Sequence, residues 1–346
     1  MIAKQTETLL AALPKAELHL HLEGSIEPAT VVELAARQGV ALTPGEAAAH
    51  YHYCDFAGFL EAFKWVTSFL RTPADYALIT ERLIEQLVGQ NVLYAEVTVS
   101  IGVMLRRKQD AQANFAAIAE AAGRAQAAGL RVQWIFDAAR QFGAQAAMEV
   151  ARAAVQMRAA GVVAFGMGGD ELALPPTEFR QVYDYAASEG LHRLVHAGEI
   201  GGPETVREAV DFLGVERIGH GIAVMRDART MDFLAARQIP LEICPTSNLD
   251  TGALAQQLGR TEVMLDDHPL PRFFSRGLGV TLSTDDPAMF RTSLSQEYHL
   301  ALGLGLRFSD LTRIAEMGFE FAFLPKPEKQ ALLETFWSQR RSLGLV

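Results

Sequence analysis

Eight short runs rich in apolar residues recur along this chain, separated by stretches with helical spacing. The runs are residues 16–21, 92–100, 131–138, 162–169, 192–199, 217–221, 240–247 and 279–286. Several are almost continuously apolar, as strands buried on both faces should be. The stretches between them, such as 112–128, 144–160 and 203–213, are rich in Ala, Leu and Glu. Strand then helix, repeated in this way, constrains the chain to a parallel α/β sheet. A length of 346 residues suits closure into a (β/α)8 TIM-type barrel, a fold that runs to about 250 residues and more with insertions. No tandem repeat or low-complexity linker divides the chain, so one barrel domain over residues 1–346 is expected.

Two segments exceed a minimal barrel. Between the first two runs lie 27–38, a turn at Pro44-Gly45, then 55–70 and 73–90, too much for one crossover helix. Phe56, Phe59 and Phe63 share one helical face there, and Trp65 and Phe69 form a second pair at four-residue spacing. That aromatic face suits either packing against the barrel or a lid that keeps water from its mouth. After Phe290, helical stretches at 309–323 and 327–343 should pack on the barrel as extra helices.

Composition narrows the partners. A net charge of −10 argues against a nucleic-acid surface and leaves room for a small neutral substrate. The two cysteines, Cys54 and Cys244, form no CxxC pair, so neither a disulfide framework nor a cysteine zinc knuckle is indicated. Both suit a reduced thiol. The first residues lack a signal-peptide core, and no run of ~18 apolar residues suggests a membrane span. A soluble cytoplasmic protein is expected, in an oligomeric state the sequence leaves open.

Four of the runs end in residues that carry chemistry, at the strand ends where barrel enzymes place their sites. His19 and His21 lie two apart, so their side chains share a direction. Buried imidazole needs partners, which makes the pair a poor choice for plain packing. His196 ends the fifth run, and Glu199 follows in a Gly-containing turn. A buried carboxyl there could donate a proton to a ring nitrogen; the alternative is a first-turn carboxylate of the next helix. His220 stands between two glycines and is otherwise readable as a satisfied core histidine. Asp285 and Asp286 are adjacent and point apart, so one can ligate metal while the other faces a substrate. Three imidazoles and a carboxylate suit a zinc-like cation. Thr246, Ser247 and Asn248 either line the pocket or make a turn, and Asp266 and His268 read as helix caps.

As a set, these stretches resemble the adenosine deaminase family of the amidohydrolase superfamily. The resemblance spans nearly the whole chain. It rests on residues 14–24 (PKAELHLHLEG), Gly168-Gly169-Asp170-Glu171, His196-Ala197-Gly198-Glu199, Gly219-His220-Gly221, Cys244-Pro245-Thr246-Ser247-Asn248 and Ser283-Thr284-Asp285-Asp286-Pro287, in that order. The cytidine-deaminase class needs HxE with PCxxC, which this chain lacks. The resemblance implies one Zn²⁺ per chain on His19, His21, His196 and Asp285. It implies that Glu199 shares a proton with purine N1, and that His220 holds and helps deprotonate the attacking water. Asp286 would engage N7 and help orient the nucleophile, and the Gly169 N–H would contact N3. Strand four ends Met167-Gly168-Gly169, without the lysine of two-metal relatives, which favours a single ion.

The implied activity is zinc-dependent hydrolytic deamination of a 6-aminopurine nucleoside, with adenosine to inosine favoured. Two departures bear on the substrate. Glu23 stands where adenosine deaminases usually carry Asp on the ribose 5′ side, and Gly166 where they tend to carry Asp. Both bring 6-aminodeoxyfutalosine, a menaquinone precursor with an enlarged 5′ group, into second place, with free adenine third. A metal-dependent esterase or lactonase would have no ring nitrogen for Glu199 to protonate. A non-catalytic binding protein should have lost a ligand from the set.

Overall fold

In a computed structural model, which describes residues 2–53 and 55–344, eight strands form one sheet in chain order. They are β1 (Lys15–His21), β2 (Val92–Val99), β3 (Arg131–Ala139), β4 (Val162–Gly168), β5 (His192–Ala197), β6 (Arg217–His220), β7 (Leu241–Ile243) and β8 (Val280–Leu282). All neighbouring pairs are parallel. β1 returns to the segment after β8 through the Leu20–Asp285 bridge. There the His21 N–H donates to the Asp285 carbonyl at 2.8 Å, and the Asp285 N–H to the His19 carbonyl at 3.0 Å. The expected (β/α)8 barrel is therefore the observed one, and the bonds that close it run through residues of the proposed metal cluster.

The ends of the strands differ from the expected runs. β7 and β8 span three residues each, although the apolar runs extend further. Pro245 opens a helix, Pro245–Asp250, because proline has no N–H for a ladder but fits a first helical turn. Asp285 leaves the ladder in the left-handed region, at φ 64°. The helical stretch at 203–213 is a short α-helix, Pro203–Glu208, followed by a π-helical turn, Ala209–Leu213.

The barrel interior is not uniformly apolar. A buried polar chain descends through it from His19. His19 Nδ1 lies 2.7 Å from Glu242 Oε2, and Arg217 Nε donates to Glu242 Oε1 at 2.6 Å. Arg217 also pairs with Glu96, which accepts from the Tyr94 hydroxyl at 2.7 Å. Below this chain Phe323 plugs the barrel among Ile135, Ala164 and Leu194. The Arg217 guanidinium lies 3.6 Å from the Phe323 ring centre. A strand-period reading of β2, β6 and β7 gives no sign of this ion-pair chain, because each charge pairs with a residue of another strand, neighbouring for Arg217 and Glu242 and across the barrel for Arg217 and Glu96.

The long insertion between β1 and β2 folds into the helices Pro28–Arg37, Pro44–Ala49, Phe56–Thr67 and Pro73–Gly89. Asp55 starts the third by accepting the Gly58 N–H at 2.8 Å, a cap of the usual kind. At the other end of the chain, Phe308–Glu320 packs on β1 and β8, and Lys326–Ser342 packs on it, with Phe319 and Phe336 rings 5.3 Å apart. Among the described residues no helix is long and apolar enough to cross a membrane. Cys244 is buried and free; Cys54 lies outside the described residues.

Candidate active site

The residues singled out at the strand ends meet at the C-terminal mouth of the barrel. His21, His196, Glu199, His220, Asp285, Asp286 and Gly169 all line one cavity of about 660 Å³. His19 lies just beneath, 2% exposed, with its ring centre 4.6 Å from that of His196.

Asp285 is the centre of the cluster. Its Oδ1 is 3.3 Å from both His19 Nε2 and His21 Nε2, and its Oδ2 accepts from the Ser247 hydroxyl at 2.7 Å. Two ligands on one tetrahedral zinc with bonds of ~2.0–2.1 Å stand about 3.3–3.4 Å apart. His19 Nε2 is buried and makes no hydrogen bond, while its Nδ1 is held by the Glu242 carboxylate. That partner fixes a tautomer whose Nε2 lone pair faces the cluster. Donor atoms of His19, His21 and Asp285, and of His19, His196 and His220, lie within 4.8 Å of one another. The donor set fits a divalent cation.

The electrostatics agree. Burial lowers the pKa of His19, but the Asp285 and Glu242 carboxylates beside its two ring nitrogens outweigh that and push it up to about 10. His21, likewise opposed by burial, is pushed up to about 9 by Asp286 and Asp285. The cluster thus attracts positive charge strongly. His196 is driven well below its ordinary value by burial and by its imidazole neighbours, as suits a neutral ligand.

Around the cluster the remaining groups differ in protonation. Burial, with Asp285 and Glu171 nearby, raises Glu199 well above the usual carboxylate range. Asp286 is raised by burial and by Asp285, and its buried Oδ1 has no partner. Gly24 makes room for it: a β-carbon there would lie 1.7 Å from Asp286 Oδ1. His220 is lowered to about 3, by burial above all, and so is neutral. Its Nε2 is 3.6 Å from Glu199 Oε2 and 3.9 Å from Asp285 Oδ2. On its other side a chain of contacts has a defined direction. The Leu270 N–H donates to His268 Nδ1 at 3.2 Å, His268 Nε2 is 3.3 Å from Asn248 Oδ1, and Asn248 Nδ2 is 3.2 Å from His220 Nδ1. The backbone donor at one end leaves His220 Nδ1 an acceptor at the other, so the neutral ring carries its hydrogen on Nε2, toward Glu199. Like Asp285, His220 has a positive φ, 61°, which costs energy in a non-glycine residue and clusters at functional sites.

The other expectations sort as follows. Thr246, Ser247 and Asn248 act behind the cavity: Ser247 on Asp285, Asn248 on His220, and Thr246 on Glu297. His268 caps Leu270 as expected, while Asp267 rather than Asp266 accepts the Met264 N–H. Glu23 is buried, 2% exposed. Its Oε1 accepts the Ser100 N–H at 3.0 Å, its Oε2 has no partner, and Ser100 forms the cavity wall there. The helix Phe56–Thr67 does cover the cavity, with Phe56, Phe59 and Phe63 in its wall. Trp65 and Phe69 instead pack with each other, and Trp65 also stacks on His50. Four residues were missed: Asp137 and Arg106 in the cavity wall, Glu242 behind His19, and Glu171. Glu171 and Glu242 stood in or beside motifs, Glu171 after Gly168-Gly169 and Glu242 just before Cys244-Pro245, but without a role.

Comparison with known proteins gives three findings. The sequence model of the adenosine deaminase family matches residues 14–338. An aminodeoxyfutalosine deaminase of Streptomyces coelicolor is 39% identical over 340 residues, covering 96% of this chain and 86% of the relative. Among solved structures, an adenine deaminase from Arthrobacter aurescens superposes with a TM-score of 0.87 at 29% identity, over 95% of this chain and 99% of that one. An amidohydrolase from Burkholderia ambifaria with bound Zn superposes with a TM-score of 0.85 at 25% identity, over 98% and 95%.

Proposed function

This chain belongs to the adenosine deaminase family and is a hydrolytic deaminase, and we propose that its substrate is a 6-aminopurine nucleoside enlarged at the 5′ position, 6-aminodeoxyfutalosine, rather than adenosine. The observation that carries the reading is the make-up of the cavity. One cavity is lined both by histidines of the cluster and by Phe56, Phe59, Leu60, Phe63 and Phe142, apolar surface that a bare ribose 5′-hydroxyl would leave unfilled. The 39% identity to an aminodeoxyfutalosine deaminase supports the same substrate.

His19, His21, His196 and Asp285 would hold one Zn²⁺. When bound, the ion supplies Lewis acidity and brings the pKa of a water toward about 7. The chain's own groups then set the proton inventory. Glu199, whose carboxyl burial raises well above the usual carboxylate range, gives its proton to N1 and makes C6 electrophilic. Asp286, raised by burial and by Asp285, donates to N7. His220 offers Nε2–H, so its part is to hold the oxygen of the incoming water by donating to it, not to remove a proton. The Gly169 N–H faces N3, and Glu23 Oε2, buried without a partner, takes a ribose hydroxyl. Addition of water forms the C6–O bond and returns one water proton to the Glu199 carboxylate; that carboxyl then protonates the amino group and recovers the proton of the C6 hydroxyl, so that the C6–N bond breaks, ammonia leaves and the 6-oxo purine forms.

The test compares kcat/KM on 6-aminodeoxyfutalosine, adenosine, 5′-deoxyadenosine and adenine. The first should exceed adenosine by ~10-fold or more, the discrimination expected when apolar pocket surface is left unfilled. Adenosine turning over as fast or faster would overturn the assignment. Glu199→Gln should retain zinc and bind nucleoside but lose ~10²–10⁴ in kcat.

A further inference from the structure

The loop that carries Glu199 belongs to no helix or strand, yet its backbone is completely satisfied, and largely by side chains. The N–H groups of Gly198, Glu199, Ile200 and Gly201 all donate to the Glu171 carboxylate, at 2.6, 3.1, 2.8 and 2.9 Å. Thr205 Oγ1 adds a fifth donor at 2.8 Å. The carbonyls are taken as well. Gln257 Nε2 donates to those of Glu199 and Gly201 at 2.8 and 2.7 Å, Gln256 Nε2 to that of Ile200 at 3.0 Å, and the Ala223 N–H to that of Gly198 at 2.8 Å. The chain can wrap this closely because residue 201 is glycine: a β-carbon there would lie 2.6 Å from Glu171 Oε1. Glu171 is 5% exposed and touches none of the cation ligands. Four convergent backbone donors on one buried carboxylate form a rigid clamp, since every bond is charge-assisted and three of the four are buried.

We propose that Glu171 is the positioning residue for the catalytic acid: its carboxylate fixes the 198–201 backbone so that the Glu199 carboxyl meets purine N1. The inference rests on the reading of Glu199 as the proton donor. It also explains a functional burden on the segment after β4 beyond the Gly169 contact, because the same short loop then governs both the N3 and the N1 sides of the ring.

A double-mutant cycle on the zinc-loaded enzyme tests this. Glu171→Gln places an amide NH₂ among N–H donors and frees the loop. With zinc content unchanged, kcat should fall ~10²-fold, the scale of a displacement of about 1 Å, while KM changes only a few-fold. In a Glu199→Gln background the same change should cost less than ~2-fold, because groups acting as one unit are not additive. Gln257→Leu, which releases the loop carbonyls, should repeat the pattern at smaller amplitude and carries the cycle if Glu171→Gln does not fold. Losses that multiply in the double variants would overturn the positioning role while leaving Glu199 as the acid. A Glu199→Gln enzyme within a few-fold of wild type would overturn the acid assignment itself, and this inference with it.

Discussion

Glu242→Gln is the sharpest probe of how the barrel interior supports the cation site. Glu242 is fully buried, and each of its oxygens serves one nitrogen: Oε2 is 2.7 Å from His19 Nδ1, and Oε1 is 2.6 Å from Arg217 Nε. Burial alone would raise its pKa, but Arg217 and His19 outweigh burial and hold the carboxyl below its ordinary value. Glutamine is nearly isosteric but has one acceptor and one donor. Whichever way the amide turns, its NH₂ meets an N–H, either of His19 or of Arg217. Breaking one buried charged partnership costs about 3–5 kcal/mol. Arg217 keeps Glu96 and the Phe321 carbonyl, so a loss near the lower end, about 3 kcal/mol, is expected in zinc-free protein. Zinc binding should weaken by ~10–100-fold, the usual consequence of removing a ligand's outer partner. Chelator competition gives the zinc affinity, and denaturant unfolding of the apo form gives the stability. A variant with unchanged zinc affinity and unchanged unfolding midpoint would refute the view that this carboxylate orients His19.

Two further outcomes follow from the geometry. Gly24→Ala puts a β-carbon 1.7 Å from Asp286 Oδ1 and must displace that carboxyl, so kcat/KM should fall by ~10–10²-fold with zinc retained. Zinc-loaded protein of wild-type activity would count against Asp286. Glu297 is raised to about 7 by burial, against its hydrogen bonds from Thr246 and Thr292. Its folded pKa lies above the unfolded one, so its stabilisation is full below the unfolded value and fades as pH rises through about 7, by about 3 kcal/mol in all. Glu297→Gln should flatten the pH dependence of the unfolding midpoint over that window, and an unchanged slope would show that Glu297 does not titrate there.

The barrel and the site's principal side chains were legible because both follow local rules. Alternating strand and helix periods need no knowledge of distant partners, and His19 and His21 share a face by the period of a strand. The supporting residues obey no such rule. Glu242 lies 223 residues from His19, and Gln257 lies 58 from Glu199. Each sits in an ordinary strand or helix, and only closure of the ring brings it to its partner. Two residues past His21 the chain turns into a 3₁₀ segment, Glu23–Ser25, so strand alternation does not set the direction of the Glu23 side chain. The preference for adenosine leaned on motifs around the reacting ring, which adenosine and larger nucleosides share. The distinguishing surface belongs to the insertion after β1, whose aromatic face was compatible with plain packing until the cavity was seen beneath it.

Histidine shows most clearly where sequence stops and geometry takes over. His19 lies two residues before the end of β1 and His220 ends β6; both are 1–2% exposed, and nothing local says which would bind a cation and which would meet the substrate. The partner of Nδ1 decides. At His19 that partner is a carboxylate, which requires a hydrogen on Nδ1 and leaves the Nε2 lone pair for a cation. At His220 it is the amide nitrogen of Asn248, oriented through His268 by the Leu270 N–H, which supplies a hydrogen and leaves Nε2–H facing the cavity. On the proposed reading one side chain would then serve as a ligand and the other as a donor, with no difference in residue type. Exchanging the outer partner should exchange the role. Asn248→Asp presents an acceptor to His220 Nδ1 and would turn its Nε2 lone pair inward, so the variant should lose the donor that holds the water while gaining affinity for a cation at this position.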